Sequence, residues 1–428
     1  MSQPDEANRT EYAELSIKAG QVFHPRRPIS TREFFAGRWE QLTTIADAVS
    51  QSGLHIIIFG ERGVGKTSLA NVIGTLVEVF EEDLPGSAHG EPRLVVKVNA
   101  INGDHFGDIW KRAFDEVSWV NQRPTIGFTG TTTAKRITLR SALDIPDNPS
   151  MDDVRRALNV LKRSVFIFDE FDRGSSSIRK AFTDLIKTVS DYSVDSTIVI
   201  VGVSDTVDEL LKDHASVVRS ITQIQLPRMT EKELQDIIEK AAKVLEVEFS
   251  PESVSLIVRV SQGLPHYTHL IGLHATREAV NRLSKRVEAE DVHKSFEKAV
   301  KQAIQSIQVK HLQAIRSAHK DALYEEVLLA CAIVSSTLKD ALGYFHPSDV
   351  VNPLSTILRR TNVQIATFQK HINEFCEPER GPILYRHGKP RAYKYRFLDP
   401  LLPPYVFMTC VSNGKIDSKL LAELTASS

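Results

Sequence analysis

The junction at residues 54–68, where LHIIIF runs straight into GERGVGKTS, constrains this chain more than any other feature. The apolar run, β-branched at its centre, is the pattern of a strand buried on both faces of a parallel sheet. Gly60-Glu61-Arg62-Gly63-Val64-Gly65-Lys66-Thr67 fits G-x-x-x-x-G-K-[ST] without a mismatch. The segment from Ser68 onward, SLANVIGTLVEVF, reads as a helix. Strand, glycine loop and helix in that order form a phosphate cradle. The glycines let backbone N–H groups curl round the phosphates, and the helix N-terminus adds its dipole. Lys66 would reach the β/γ oxygens and the Thr67 hydroxyl would ligate Mg²⁺. The ligand expected from these residues is ATP or ADP, with Mg²⁺.

A second apolar run, SVFIFDEFDR at 164–173, ends in Asp169-Glu170. An acidic pair at the C-terminal end of a parallel strand stands where open α/β sheets bind ligands. Asp169 is the candidate for holding the Mg²⁺ shell, and Glu170 for orienting and deprotonating the attacking water. A third run, STIVIVGVSD at 196–205, places Ser204 at its end. Contact with the γ-phosphate and capping of the following helix are both open for that hydroxyl. RLVVKVNA at 93–100 brings Asn99 to the end of a further strand, either as a restraint on Glu170 or as a turn asparagine.

These stations together resemble an AAA+ ATPase. Phe34-Phe35-Ala36-Gly37-Arg38 looks like the F-x-G-R box that precedes the core in origin-recognition and helicase-loader ATPases, their prokaryotic relatives and STAND signalling ATPases. The resemblance implies that Arg38 lies near the adenine. HASVVRS (214–220) is similar to the family's arginine-finger region, which makes Arg219 the candidate for reaching a neighbour's γ-phosphate; a surface arginine paired with an acidic residue is the alternative. The family's sensor-2 position follows G-x-x-R, whereas here Gly263-Leu264-Pro265-His266 stands instead. Histidine is shorter than arginine and only partly charged near neutral pH, so the resemblance predicts binding more firmly than fast hydrolysis.

At 428 residues, more than one domain is expected. The 53 Lys+Arg balance 54 Asp+Glu, which excludes a global polycation, so any nucleic-acid contact must come from a local patch. Cys331, Cys376 and Cys410 form no CxxC pair and imply neither a metal site nor a disulfide framework. The N-terminus lacks the apolar stretch of a signal peptide and no run approaches a membrane span, so a cytoplasmic protein without membrane contact is expected. Residues 1–29 read as a flexible arm, 30–228 as the ATPase core, 229–319 as a helical lid and 413–428 as a tail. The Thr-, Gly- and Pro-rich stretch at 121–150 reads as a solvated insertion in the core, with polyanion contact through Lys135, Arg136 and Arg140 as the alternative.

The pattern changes at 320–412. ALYEEVLLACAIV, HPSDVVNPLSTIL (with Ser348 as the N-cap) and NVQIATFQKHINEFC read as three helices, and ILYRHG and AYKYRF as a hairpin. Three helices and a hairpin make a winged helix, in which the last helix enters the major groove and the wing grips backbone. Leu358 to Phe397 holds nine Arg/Lys against three Asp/Glu. Arg386, Lys389 and Arg391 are the candidate phosphate contacts; Gln369, Lys370 and Asn373 are the candidates for facing bases. The expected fold is therefore α/β: a P-loop AAA+ parallel sheet sandwiched by helices, then a helical lid and a C-terminal winged helix. The expected function is an ATPase that couples nucleotide state to homo-oligomeric assembly and duplex-DNA engagement. The alternative is a STAND-like signalling or defence switch whose winged helix contacts an effector protein. A metabolic kinase would leave the C-terminal segment unexplained.

Overall fold

The structure is a computed structural model of the 428-residue chain that describes all residues except 1–2, 26–36, 83–92, 125–131, 205–206, 212–216, 320–321, 341, 391, 418, 422 and 424–428. It divides into two units, one of Ile29–Glu61 and Lys66–Leu226, the other of Met1–Pro28, Arg62–Gly65 and Pro227–Ser428.

The first unit is built on a five-stranded sheet. Its members are β1 (His55–Gly60), β2 (Leu94–Asn99), β5 (Ser164–Asp169), β6 (Ser196–Val203) and β7 (Ile221–Gln225), in the spatial order β2-β5-β6-β1-β7. Every pairing is parallel. All six residues of β1 and of β5 are buried, as their unbroken apolar sequences require of central strands covered on both faces. One face carries an aromatic core in which Trp110 stacks on Phe182 and meets Phe114, Phe166 and Phe168 edge-on or tilted. His55, the first residue of β1, is fully buried; its Nδ1 accepts the Ile198 N–H of β6 at 3.0 Å, and burial pushes its pKa down to about 3. The strand β7 was not foreseen: ITQIQ has only two strongly apolar residues, and only Ile221 and Ile224, three apart and so on opposite faces, are buried.

The stretch at 121–150 is not the unstructured insertion its composition suggests. β3 (Ser118–Pro124) and β4 (Thr132–Thr138) pair antiparallel from Ser118↔Thr138 to Pro124↔Thr132. The threonine run that looked like a linker supplies β-branched residues to a strand instead. Arg140 then anchors the next turn through Asp115 (2.7 Å) and Asp147 (2.9 Å), so it serves structure.

In the second unit, the N-terminal segment is not a flexible arm. Residues Gln3–Val22 form a helix whose Leu15, Ala19 and Val22 are buried, followed by buried Phe23. Phe23 packs on Gly272 of the helix Pro265–Asn281, where a Cβ would come within 2.6 Å of its ring. The helices Glu231–Leu245, Pro251–Ser261, Pro265–Asn281 and Ala289–Gln302 follow, with a short parallel pairing between β8 (Glu248–Phe249) and β9 (Arg286–Val287). Further on come the helices Gln305–Ile315, Tyr324–Ala332, Pro347–Leu358 and Ile365–Glu374, and then the hairpin of β10 (Leu384–His387) and β11 (Lys394–Phe397). Phe345 bridges Tyr395 of β11, adding a third short strand position beside the hairpin. His346, not Ser348, is the N-cap of Pro347–Leu358, in a reciprocal box with Asp349. The final helix, Leu402–Ser412, is buried along its first nine residues.

Candidate nucleotide site

The C-terminal ends of β1, β5 and β6 and the start of the helix Lys66–Glu82 bring the phosphate-handling residues together. Gly60 sits at φ +149°, where a Cβ would come within 2.5 Å of the Leu226 carbonyl oxygen, and Gly63 and Gly65 are at φ +86° and +100°. This loop needs glycine at these points because both the backbone angles and the close strand approach exclude a side chain. The Lys66 ammonium is buried and folds onto its own loop, donating to the carbonyls of Gly60 (3.0 Å) and Glu61 (2.7 Å). Val64 is buried, Glu61, Thr67 and Ser68 are half-buried, and Arg62 is exposed.

Asp169 is buried, with its side chain 3% exposed, and Lys97 of β2 lies against it at 2.9 Å. The register explains the contact. Lys97 pairs with Ile167, so Asp169 is its diagonal neighbour on the same face of the sheet. The same ammonium donates to Asn71 Oδ1 at 2.6 Å, one turn beyond Thr67, and so ties the loop helix to the acidic strand. Sequence reading missed Lys97, because only the β2–β5 register reveals its partner. Asn99 stands directly opposite Asp169 in the ladder and is exposed.

Glu170 follows with φ +56°, and its carboxylate pairs with Arg173 at 2.8 Å. In this structure the partner that holds Glu170 is on its own 3-10 turn. Asp172, also missed from sequence, accepts the Val203 N–H at 2.8 Å and ties this turn to the end of β6. Ser204 is buried and donates to Glu209 Oε2 at 2.6 Å, on the helix Val207–Leu210 that follows. Arg179 closes the same corner by donating to the carbonyls of Gly174 (3.1 Å), Asp172 (2.7 Å) and Glu209. Arg219 is exposed, on the 3-10 turn Val218–Ser220, and makes no hydrogen bond or ion pair among the described residues. Arg38 is buried at φ +63° and heads the helix Trp39–Ser50; Phe34, Phe35 and Ala36 lie outside the described residues.

These residues suit a magnesium nucleotide. Three positive-φ glycines and a buried lysine make an anion cradle, and a buried carboxylate beside it already holds a cation.

A family model described as Novel STAND NTPase 1 matches residues 28–330. The chain belongs to that family. It is an NTPase, and the resemblance to STAND ATPases read from its motifs stands. No curated protein matches this NTPase. Among solved structures, it is similar to Cdc6p from Pyrobaculum aerophilum, at 16% identity over 94% of this chain and 98% of that one, with a TM-score of 0.46. It is also similar to the ORC2 protein of Aeropyrum pernix (15%, 93% and 100%, 0.47) and to the Walker-type ATPase paby2304 of Pyrococcus abyssi (15%, 89% and 99%, 0.49).

In the second unit of this NTPase, His266 stands in the first turn of Pro265–Asn281, with its Nδ1 2.6 Å from the Pro25 carbonyl oxygen. A carbonyl can only accept, so Nδ1 carries the proton. Gly263 before it, at φ +78°, admits no side chain: a Cβ would lie 2.7 Å from the Arg228 Cβ.

The hairpin exposes Arg386, which lies 4.9 Å from the Tyr393 ring centre, and Lys389; Arg391 lies outside the described residues. On the helix Ile365–Glu374, Lys370 is exposed. Gln369 and Asn373 do not face outward for bases. Gln369 Nε2 donates to Asn373 Oδ1 (3.2 Å) and to the Tyr395 hydroxyl (3.1 Å), which itself donates to Asn373 at 2.8 Å. Their amides lock the helix to the hairpin. Among the described residues, no helix is long and apolar enough to cross a membrane.

Proposed function

We propose that this NTPase is an ATP-dependent switch that rests with its catalytic groups held internally and turns over when chains assemble. One observation carries the reading: Asp169, Glu170 and Ser204 are each paired inside their own unit, with Lys97, Arg173 and Glu209, whereas Arg219 is exposed and has no ion pair or hydrogen bond among the described residues. Lys66 and the loop N–H groups would hold the phosphates, with Arg38 near the base. Thr67 and Asp169 would hold Mg²⁺, which supplies charge neutralisation of the phosphate oxygens. Glu170, once off Arg173, would take the proton of the attacking water, with Asn99 and Ser204 beside it. Arg219 of a neighbouring copy would stabilise the charge that develops on the γ-phosphate.

The test is turnover per chain as a function of protein concentration. A rise with concentration, lost in Arg219→Ala while ATP still binds, supports the switch. Full activity at concentrations where the chain is monomeric refutes it. Glu170→Gln should bind ATP and not hydrolyse it.

The C-terminal helices and hairpin support a second element: a winged-helix output module that engages duplex DNA. The observation in its favour is the run of exposed Arg386 and Lys389 beside Tyr385 and Tyr393, with Lys370 on the adjoining helix. These would grip phosphates, so binding should weaken steeply with salt and fall in Arg386→Ala/Lys389→Ala. Binding that ignores both would move the module to a protein contact.

A further inference from the structure

The second unit holds a pocket of about 890 Å³ between the segment that follows Gln305–Ile315 and the helix Ile365–Glu374. Its lining includes Arg316, His319, Tyr324, Lys370, His371 and Arg380. We infer that this pocket is a phosphate-ester site, separate from the glycine-loop site and from the hairpin contacts.

The charge argument comes first. Among the described residues, the lining carries three permanent cations, Arg316, Lys370 and Arg380, and no carboxylate; Glu374 stands beside two of them. That carboxylate is shared: it lies 3.7 Å from Lys370 and 3.8 Å from Arg380, and it accepts the Tyr324 hydroxyl. Arg316 is exposed and its guanidinium has no partner among the described residues. Among the described residues the cations outnumber the one shared carboxylate, which suits an anionic phosphate group.

The second argument is preorganisation. Arg380 is only 17% exposed. Its guanidinium lies 3.5 Å from the Tyr324 ring centre, and its Nη1 donates to the carbonyls of Ala314 (3.1 Å) and Arg316. The His371 ring meets Tyr324 edge-on at 4.7 Å, and its buried Nδ1 has no hydrogen-bond partner. A fixed guanidinium with exposed Arg316 and Lys370 beside it suits an anionic phosphate group that takes several donors at once. The size is that of a pocket for a nucleotide-scale ligand. Neither argument requires the hairpin to touch a duplex.

Two sources share this chemistry, a free nucleotide and the backbone of a nucleic-acid strand, and the experiment separates them. The full-length chain carrying Lys66→Ala, which removes the glycine-loop site, is titrated at two salt concentrations with AMP, with the dinucleotide pTpT and with a 20-nucleotide single strand. Salt-sensitive binding that drops by about tenfold in Arg316→Ala and is kept in Arg386→Ala/Lys389→Ala establishes the pocket. Equal affinity for AMP and the strand identifies the free nucleotide; a strand bound at least tenfold more tightly identifies the backbone. The matched pair Lys232→Ala/Lys243→Ala, on Glu231–Leu245 of the same unit, should bind as before. Absence of binding by all three ligands, no change in the pocket variant, or an equal loss in the matched pair overturns the inference.

Discussion

Replacing Lys97 by methionine should destabilise the nucleotide-free protein and do so much less once a magnesium nucleotide is bound. The reasoning starts from burial. Asp169 is 3% exposed and Lys97 23% exposed, at 2.9 Å. Removing one partner of a fully buried pair costs about 3–5 kcal/mol because the other charge is left uncompensated, whereas an exposed pair contributes about 0–1 kcal/mol. With the carboxylate enclosed and the ammonium about three-quarters enclosed, a loss of ~3 kcal/mol is expected. For a unit of this size that is about 6–12 °C in melting temperature. Mg²⁺ at Asp169 would replace the missing charge, so the gap between wild type and Lys97→Met should shrink to ~1 kcal/mol, or about 2–4 °C. The assay is thermal unfolding of both proteins with and without saturating Mg²⁺ and a non-hydrolysable ATP analogue. Methionine keeps the length of the stem, so lost packing is a minor contribution. An identical gap in both states would show that the ammonium does not stand in for the metal; no gap without nucleotide would show that the pair contributes nothing.

Gly60→Ala should remove nucleotide binding, read by equilibrium dialysis with labelled ATP, because its Cβ would lie 2.5 Å from the Leu226 carbonyl oxygen. Retention of wild-type affinity would mean that β1 and its neighbour yield without disturbing the loop. Stability should also fall on mild acidification. The His55 pKa is lowered by burial to about 3, so below the unfolded value of 6.5 the unfolded chain binds the extra proton. The neutral ring's contribution is complete above pH 6.5 and declines as pH falls from 6.5 to 3, by about 2 kcal/mol at pH 5. His269, also lowered to about 3 by burial, adds a like decline in the other unit. Urea unfolding at pH 7 and pH 5 checks this, and a His55→Gln protein with an unchanged pH slope would refute the assignment to His55.

The nucleotide site was legible where burial forces the sequence to be blunt. HIIIF and VFIFD can be little else than strands covered on both faces, and a glycine loop or an acidic pair at their ends then has one place to go. The N-terminal helix was readable in principle: Leu15, Ala19, Val22 and Phe23 fall on one helical face, but so few apolar residues among polar neighbours looked like a solvated arm. Lys97 was illegible for a different reason. Its significance depends on a cross-strand register, which no spacing within one segment encodes. The same holds for Gln369 and Asn373: as polar residues on a third helix they suggested bases, and only the position of Tyr395 on the hairpin consumes them.

The contact between His266 and Pro25 makes the chemistry of one residue depend on a peptide bond 241 positions away. While that carbonyl is seated, a proton is pinned to Nδ1. Trimming the chain through residue 25 would therefore be a tautomeric edit as well as a shortening, since it removes the carbonyl that fixes the proton. Two versions of this protein that differ only at their N-terminus would not carry the same histidine.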